Sequence, residues 1–388
     1  MCEDQRTLRH LLLGLSDAHI NDLISQLDAH ILPSDTFLGG FSLQHVPTVQ
    51  RLCMLTFTLN RRIILKEWQL LGTLDILAGH DIILNASTGA GKTMLIILPM
   101  LLKPGSISIT ISPLKRLMAS QAAELGRYGL RAAIVNEDTS HDPELFKAIL
   151  SGYYDHVHIS PEQLQRHQGH FTRFYHLLDN PTFRRRIQVI NIDEGHEAGR
   201  AALGLDDFRS SYARLSTFRL KLPRSIPFVV LSATLPHHIL PPLSNLLFLK
   251  NPKETRLCLN RPNIYYAVQP LITGTKEFRN LLMLVPASAH LLGSLPKTII
   301  FFDDKRELDG ACRFLRNKYT KLMDPSTEKD QVLPAARALV MGYHSDMSST
   351  YLQSTYEDFN APDGLCRILC ATACAATVTP LNTVIFMC

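Results

Sequence analysis

The segment Ala86-Ser-Thr-Gly-Ala-Gly-Lys-Thr93 restricts the fold of this chain more than any other stretch. It stands between a short apolar run, Asp81–Leu84, and a longer one from Met94 to Leu102, which is the order strand, glycine loop, helix. Gly89 and Gly91 let the backbone curl, so that the N–H groups around Thr88 and Ala90 face an anion, with the helix dipole adding positive potential. Lys92 would then reach the β- and γ-phosphates of a nucleotide, and the Thr93 hydroxyl would ligate Mg²⁺. The expected cofactors are ATP and Mg²⁺.

Around this loop the pattern alternates. Asp81–Leu84, Ser106–Ile111, Val157–Ile159, Ile187–Ile192 and Pro227–Leu231 read as buried strands separated by helical stretches. That alternation predicts an α/β fold with a mainly parallel sheet covered on both faces. A second set follows: Lys297–Phe302, Ala338–Met341, Arg367–Ala371 and Thr383–Met387. A chain of 388 residues exceeds what one core usually supports. The expected division is a helical extension over 1–58, a nucleotide-binding domain over 59–256 and a second domain over 257–388. In the extension Ser16 is a plausible N-cap, Ile20, Leu23, Ile24, Leu27 and Ile31 share one helical face, and Pro33 stops the run. Packing against the nucleotide-binding domain is its expected role.

A nucleotide hydrolase needs acidic residues at the end of a neighbouring strand. Ile187-Gln-Val-Ile-Asn-Ile-Asp193-Glu194-Gly-His196 supplies them. Asp193 would hold Mg²⁺, and Glu194 would orient and deprotonate the attacking water. The net charge of +5 permits a polyanionic partner without requiring one. Cys366, Cys370 and Cys374 recur every four residues but no partner pair with zinc-site spacing follows, so no zinc is expected. The longest apolar run, Met94 to Leu102, is far too short to span a bilayer, so no membrane segment is expected.

Asp-Glu-Gly-His is a DExH box, and with the phosphate loop it resembles the superfamily-2 helicases. Further segments resemble the RecQ-like DNA helicases. Leu65-Lys66-Glu-Trp-Gln69 stands where that family has Phe-Arg-x-x-Gln, which implies that Lys66 and Gln69 belong to the nucleotide site and that Gln69 reads adenine. Ser112-Pro113-Leu114, followed by Leu117, Met118 and Gln121, is similar to a family segment that touches nucleic-acid backbone, and Ser160-Pro161-Glu162 resembles the next one. Asp207-Phe208-Arg209-Ser-Ser-Tyr212 resembles the end of the aromatic-rich loop that couples DNA contact to hydrolysis. Ser232-Ala-Thr234 resembles the motif that relays the nucleotide state between domains, a coupling that His196 would share. Asn260-Arg-Pro-Asn-Ile-Tyr-Tyr266 and Tyr343-His344-Ser345 extend the likeness into the second domain, where His344 joins the implied nucleic-acid contacts.

The resemblance implies two RecA-like domains of the P-loop NTPase type and an ATP-dependent DNA helicase, 3′-to-5′, acting on single-stranded or partly duplex DNA. It also implies an intracellular protein, nuclear in a eukaryote. The chain departs from the family in three places. The tryptophan-containing part of the aromatic loop reads Ala-Ala-Leu, which implies weak base stacking there. Ala373–Pro380 has neither the glycine nor the acidic residue of motif V, and the sequence stops at Cys388 before a Gln-x-x-Gly-Arg segment. The second domain is therefore expected to be incomplete and hydrolysis by this chain slow. A catalytically impaired ATP- and nucleic-acid-binding remnant stays open beside the motor, as does an RNA helicase, although Ser-Pro-Leu and Asp-Phe-Arg speak against the latter. An unrelated P-loop kinase fails on the order of the motifs.

Overall fold

The computed structural model describes residues 2–27, 31–41, 44–60, 63–164, 166–167, 170–204, 211–212, 214–260, 270, 278–288, 295–323, 329–372 and 384–387. The chain divides into two compact units, Met1–Asn260 and Arg261–Cys388.

Unit one opens with four helices, α1 (Cys2–Leu13), α2 (Asp17–Ser25), α3 (Asp35–Gly39) and α4 (Val46–Leu59), then α5 (Glu67–Leu77). Strand β1 (Ile82–Asn85) leads to α6 (Met94–Leu102), β2 (Ile107–Ile111) to α7 (Lys115–Gly126), and β3 (Ala132–Val135) to α8 (Pro143–Ser151). Strand β4 (His156–Ile159) precedes a small hairpin, β5 (Arg166–His167) with β6 (His170–Phe171), and the short helices α9 (Arg173–Leu177) and α10 (Pro181–Arg186). Strand β7 (Ile187–Asp193), α11 (Gly195–Ala202), α12 (Leu215–Lys221), β8 (Phe228–Ser232), α13 (Leu240–Leu246) and β9 (Lys253–Arg256) complete it. The sheet has seven strands in the order β3-β4-β2-β7-β8-β1-β9. Every pairing is parallel.

Both faces are covered, as the apolar runs require. Along β7 and β8 the side chains alternate: Ile190, Ile192, Phe228 and Val230 join one core, and Val189, Val229 and Leu231 join the other. Helix α6 is apolar all round and is buried from Met94 to Leu101. Its lid is the N-terminal extension, whose Leu12, Ile20, Val49, Leu52 and Leu55 share a core with Leu95 and Met100. The last carbonyls of α6 have no partner within the helix. Arg9 from α1, fully buried, supplies one by donating to Met100 O and Leu101 O. Arg6 pairs with Asp155, which also accepts from the Arg131 backbone N–H at 2.9 Å.

The helix expected to run to Pro33 ends earlier. Ser16 does cap α2, accepting from His19 N at 3.3 Å, but α2 stops at Ser25. Gln26 N and Leu27 N turn to Leu23 O and Ile24 O in tighter closures, and Leu23 is exposed, so the apolar periodicity overran the helix. Ile31 is still buried, in a separate turn.

In unit two, β10 (Thr298–Phe301) is followed by α14 (Lys305–Leu322), α15 (Lys329–Leu339), β11 (Val340–Tyr343), α16 (Ser349–Asn360), β12 (Ile368–Ala371) and β13 (Val384–Met387). These strands form a parallel sheet in the order β11-β12-β10-β13. Leu308, Ala311, Leu315 and Tyr319 of α14 pack on it with Ile300, Val340 and Ile368. Among the described residues no helix is long and apolar enough to cross a membrane.

Candidate nucleotide site

The polar residues of unit one collect where its strands end. Asn85, Ser112, Ser160, Asp193 and Ser232 stand at or just beyond the carboxyl ends of β1, β2, β4, β7 and β8. That edge is where ligands bind in open parallel sheets.

The phosphate loop leaves β1 with Ala86 N donating to Ser232 O at 3.0 Å. Gly89 and Gly91 have φ of +80° and +97°, the left-handed region that favours glycine. At Gly91 a Cβ would meet Gln69 Nε2 at 2.6 Å, whereas at Gly89 it would meet open space. The first turn of α5 clamps the loop from behind. Gln69 Oε1 accepts from Lys66 N at 2.8 Å, Gln69 Nε2 donates to Gly91 O at 3.0 Å, and Lys66 Nζ donates to Ala90 O at 2.9 Å. Both ends of the buried Gln69 amide thus hold backbone. Lys92 Nζ donates to Ala86 O at 2.8 Å and Ser87 O at 3.3 Å. Thr93 is the residue before α6, so its hydroxyl sits at a helix N-terminus.

Opposite, β7 ends on Asp193, buried at 4% exposure. Its Oδ1 accepts from Glu194 N at 3.0 Å and its Oδ2 from Gln121 Nε2 of α7 at 2.9 Å. Glu194 has φ +52° and ψ +47°, a left-handed conformation costly for a residue with a side chain. Gly195 follows because α11 lies directly on β8: a Cβ there would meet Val230 Cγ1 at 2.2 Å. The two halves of the site feel one another. Burial pulls the Lys92 ammonium below its ordinary pKa, and the carboxylates of Glu194 and Asp193 oppose that. Burial, then the Glu194 charge, pushes Asp193 upward, with Gln121, the Glu194 N–H and Lys92 pulling it back.

His196 joins this box to the next motif. Its Nδ1 lies 3.0 Å from Ser232 Oγ and 3.3 Å from Glu194 Oε2, and its Nε2 lies 3.4 Å from Glu197 Oε1. Ser232 Oγ also accepts from Thr234 N at 3.1 Å. The fold therefore brings Lys66, Gln69, Thr88–Thr93, Asp193, Glu194, His196, Ser232 and Thr234 to one edge.

The residues expected at nucleic acid are less concentrated. Ser112 and Ser160 are buried on neighbouring strand ends, their hydroxyls without partners among the described residues, and Pro113 follows Ser112 in the turn before α7. His344 belongs to unit two, where it follows β11 and its Nδ1 accepts from Asp346 N. Phe208 and Arg209 lie outside the described residues, and so does Ala373–Pro380. Three residues absent from the expected site are in it. Gln121 bonds Asp193, Glu197 faces His196, and buried Tyr212 donates to Asp193 O at 3.5 Å. Only the packing of distant elements brings Gln121 and Tyr212 there, whereas Glu197 directly follows His196 in the sequence.

The residues fit a magnesium nucleotide. Asp193 and Thr93 offer hard oxygen donors, and Mg²⁺ keeps most of its waters and needs few protein ligands.

Residues 67–240 match the model of the DEAD/DEAH box helicase family. Over 198 residues the chain is 28% identical to the ATP-dependent DNA helicase Q-like 2 of Arabidopsis thaliana, covering 50% of this chain and 27% of that protein. Over 243 residues it is 27% identical to the RecQ-like DNA helicase BLM of Xenopus laevis, covering 61% of this chain and 17% of that protein. Over the matched region the chain is similar to the core of RecQ-like helicases. The core spans well under a third of either relative's length. Its fold is that of the helicase MrfA bound to DNA and AMPPNP, with a TM-score of 0.60 at 14% identity over 86% of this chain and 45% of that one. It is also that of Dbp5 of S. cerevisiae bound to RNA and ADP BeF3, with a TM-score of 0.52 at 17% identity over 90% of this chain and 78% of that one.

Proposed function

We propose that this helicase core binds ATP with Mg²⁺ on the 86–93 loop and couples its hydrolysis to 3′-to-5′ movement along single-stranded DNA. One observation carries the reading: Lys92 on the loop and the Asp193–Glu194 pair on β7 share an electrostatic environment at one sheet edge, with His196 tied to Ser232. The bound cation would neutralise charge developing on the phosphates. Lys92 exchanges its two loop carbonyls for phosphate oxygens, Asp193 and Thr93 hold the cation, and Glu194 takes the proton of the attacking water. Gln69 and Lys66 brace the loop and border the adenine.

Ser112, Pro113, Ser160, Phe208, Arg209 and His344 are assigned to DNA. The likeness to helicases named for DNA favours DNA over RNA as the track, and a nuclear setting follows in a eukaryote. An ATP-binding remnant with little motor activity is the second reading, favoured by the lack of glycine and acid in Ala373–Pro380.

Backbone contacts of this kind are electrostatic, so affinity for a single-stranded oligonucleotide is expected to fall by more than about tenfold between ~50 and ~200 mM salt. Fluorescence anisotropy on DNA and RNA strands of one sequence tests this. A flat salt dependence contradicts the binding mode, and tighter RNA binding contradicts the choice of DNA.

A further inference from the structure

Helix α7 begins at Lys115, immediately after Ser112-Pro113-Leu114. Its buried residues are Met118, Gln121 and Leu125, three positions on one stripe facing the core. Two are apolar, as such a stripe requires; Gln121 is not. A buried amide is costly unless it is bonded. Gln121 bonds once, donating Nε2 to Asp193 Oδ2 at 2.9 Å, and its Oε1 has no partner among the described residues. A leucine or methionine here would pack with its neighbours at lower cost. It would leave one oxygen of a carboxylate that is only 4% exposed without its donor.

We infer that Gln121 is a positioning residue for the cation site: its amide fixes the rotamer in which Asp193 receives Mg²⁺. Because α7 continues the Ser112–Leu114 segment, the amide also makes that segment and Asp193 parts of one rigid element. The inference rests on the nucleotide reading of this site. Asp193 needs such a partner because, among the described residues, its other oxygen is held by the N–H of Glu194, the next residue in the chain. A bond from a separate helix adds the constraint that a local bond lacks. Groups that orient metal ligands in this way typically change metal affinity by roughly 10–100-fold when lost.

The test is an equilibrium titration of the whole chain with a fluorescent ATP analogue, at zero Mg²⁺ and across a Mg²⁺ series. Wild type, Gln121→Leu and Gln121→Met are compared, with Lys92→Ala as control. Gln121→Leu is expected to bind metal-free nucleotide within about twofold of wild type while its Mg²⁺ midpoint rises ~10-fold or more. Its thermal midpoint should fall little, since the gain of an apolar side chain in an apolar stripe offsets the carboxylate oxygen left without its donor. Gln121→Met keeps the length and the neutral charge but cannot donate to Asp193. It should shift the Mg²⁺ midpoint in the same direction and keeps the test decisive should the leucine variant misfold. An unchanged Mg²⁺ midpoint in a folded variant overturns the inference and leaves the nucleotide site standing. Loss of metal-free binding equal to the Mg²⁺ effect also overturns it, because Gln121 would then act only on the fold. Wild type failing to bind, or Lys92→Ala binding as wild type does, overturns the nucleotide reading and the inference together.

Discussion

Glu194→Gln is expected to lower single-stranded-DNA-stimulated ATP turnover by about 10²–10⁴-fold, the usual worth of a general base. The residue occupies a left-handed conformation at the junction of β7 and α11, where few residues with side chains settle. The neighbours impose it. Asp193 is fixed behind it, and Gly195 must lie against Val230 in front. The side chain is thereby presented at the strand end, 30% exposed and within 3.3 Å of His196 Nδ1. Glutamine keeps the size and can still bond His196, but it cannot take a proton. Nucleotide binding should therefore stay within about twofold, on the expectation that an interaction made only in the transition state is lost. Steady-state phosphate release at saturating oligonucleotide measures the ratio whatever the absolute rate. Turnover within threefold of wild type would remove Glu194 from the chemistry.

The second large effect concerns acid. His156 and His158 lie on the same face of β4, fully buried in the sheet interior, with ring centroids 4.3 Å apart. Ser108 Oγ lies 2.5 Å from His156 Nδ1, while neither ring nitrogen of His158 has a partner among the described residues. Burial drives His158 down to about 3, and burial with the neighbouring imidazole drives His156 well below its ordinary value. The sign follows from which state binds protons. Well above pH 6.5 both rings are neutral folded or unfolded, and they add no pH dependence to stability. Below 6.5 the unfolded chain takes up protons that the folded chain refuses, so stability falls until about pH 3. Each histidine contributes a loss of roughly 2 kcal/mol between pH 7 and pH 5. Urea unfolding at the two pH values checks this. In His158→Leu about half of the loss should disappear. An equal loss in that variant would show that other groups set the acid limit.

Much of this architecture was legible because burial on both faces writes itself into sequence as short unbroken apolar runs. Ile187–Ile192 and Pro227–Leu231 are such runs, and they became the central strands β7 and β8. The edge strands of unit one were not legible. Lys253–Arg256 is charged and polar throughout because β9 has a single neighbour and lies at the rim, and Ala132–Val135 is too short and alanine-rich to stand out. The end of α2 was missed since Leu27 and Ile31 continue an apolar period that the backbone does not.

The site divides in the same way. Motif residues contiguous in sequence, Thr88–Thr93 and Asp193–His196, carry their own context of strand and helix. Gln121 and Tyr212 do not, because what they touch is set by which elements lie side by side. Gln69 gained a second role. Resemblance assigned it to adenine, while its amide also holds Gly91 and the backbone of Lys66. Replacing it would therefore disturb the phosphate loop as well as the base.

The proposed motor depends on the 86–93 loop taking nucleotide phosphates. Lys92 rests on Ala86 O and Ser87 O, a pair of neutral acceptors that a phosphate outcompetes through charge. Equilibrium titration of wild type and Lys92→Ala with a fluorescent ATP analogue, with Mg²⁺ present, tests that point alone. Loss of one charged donor is worth about 10–100-fold in affinity, so the variant should bind that much more weakly at an unchanged melting temperature. Binding of Lys92→Ala equal to wild type would contradict the assignment of the loop, and with it the motor.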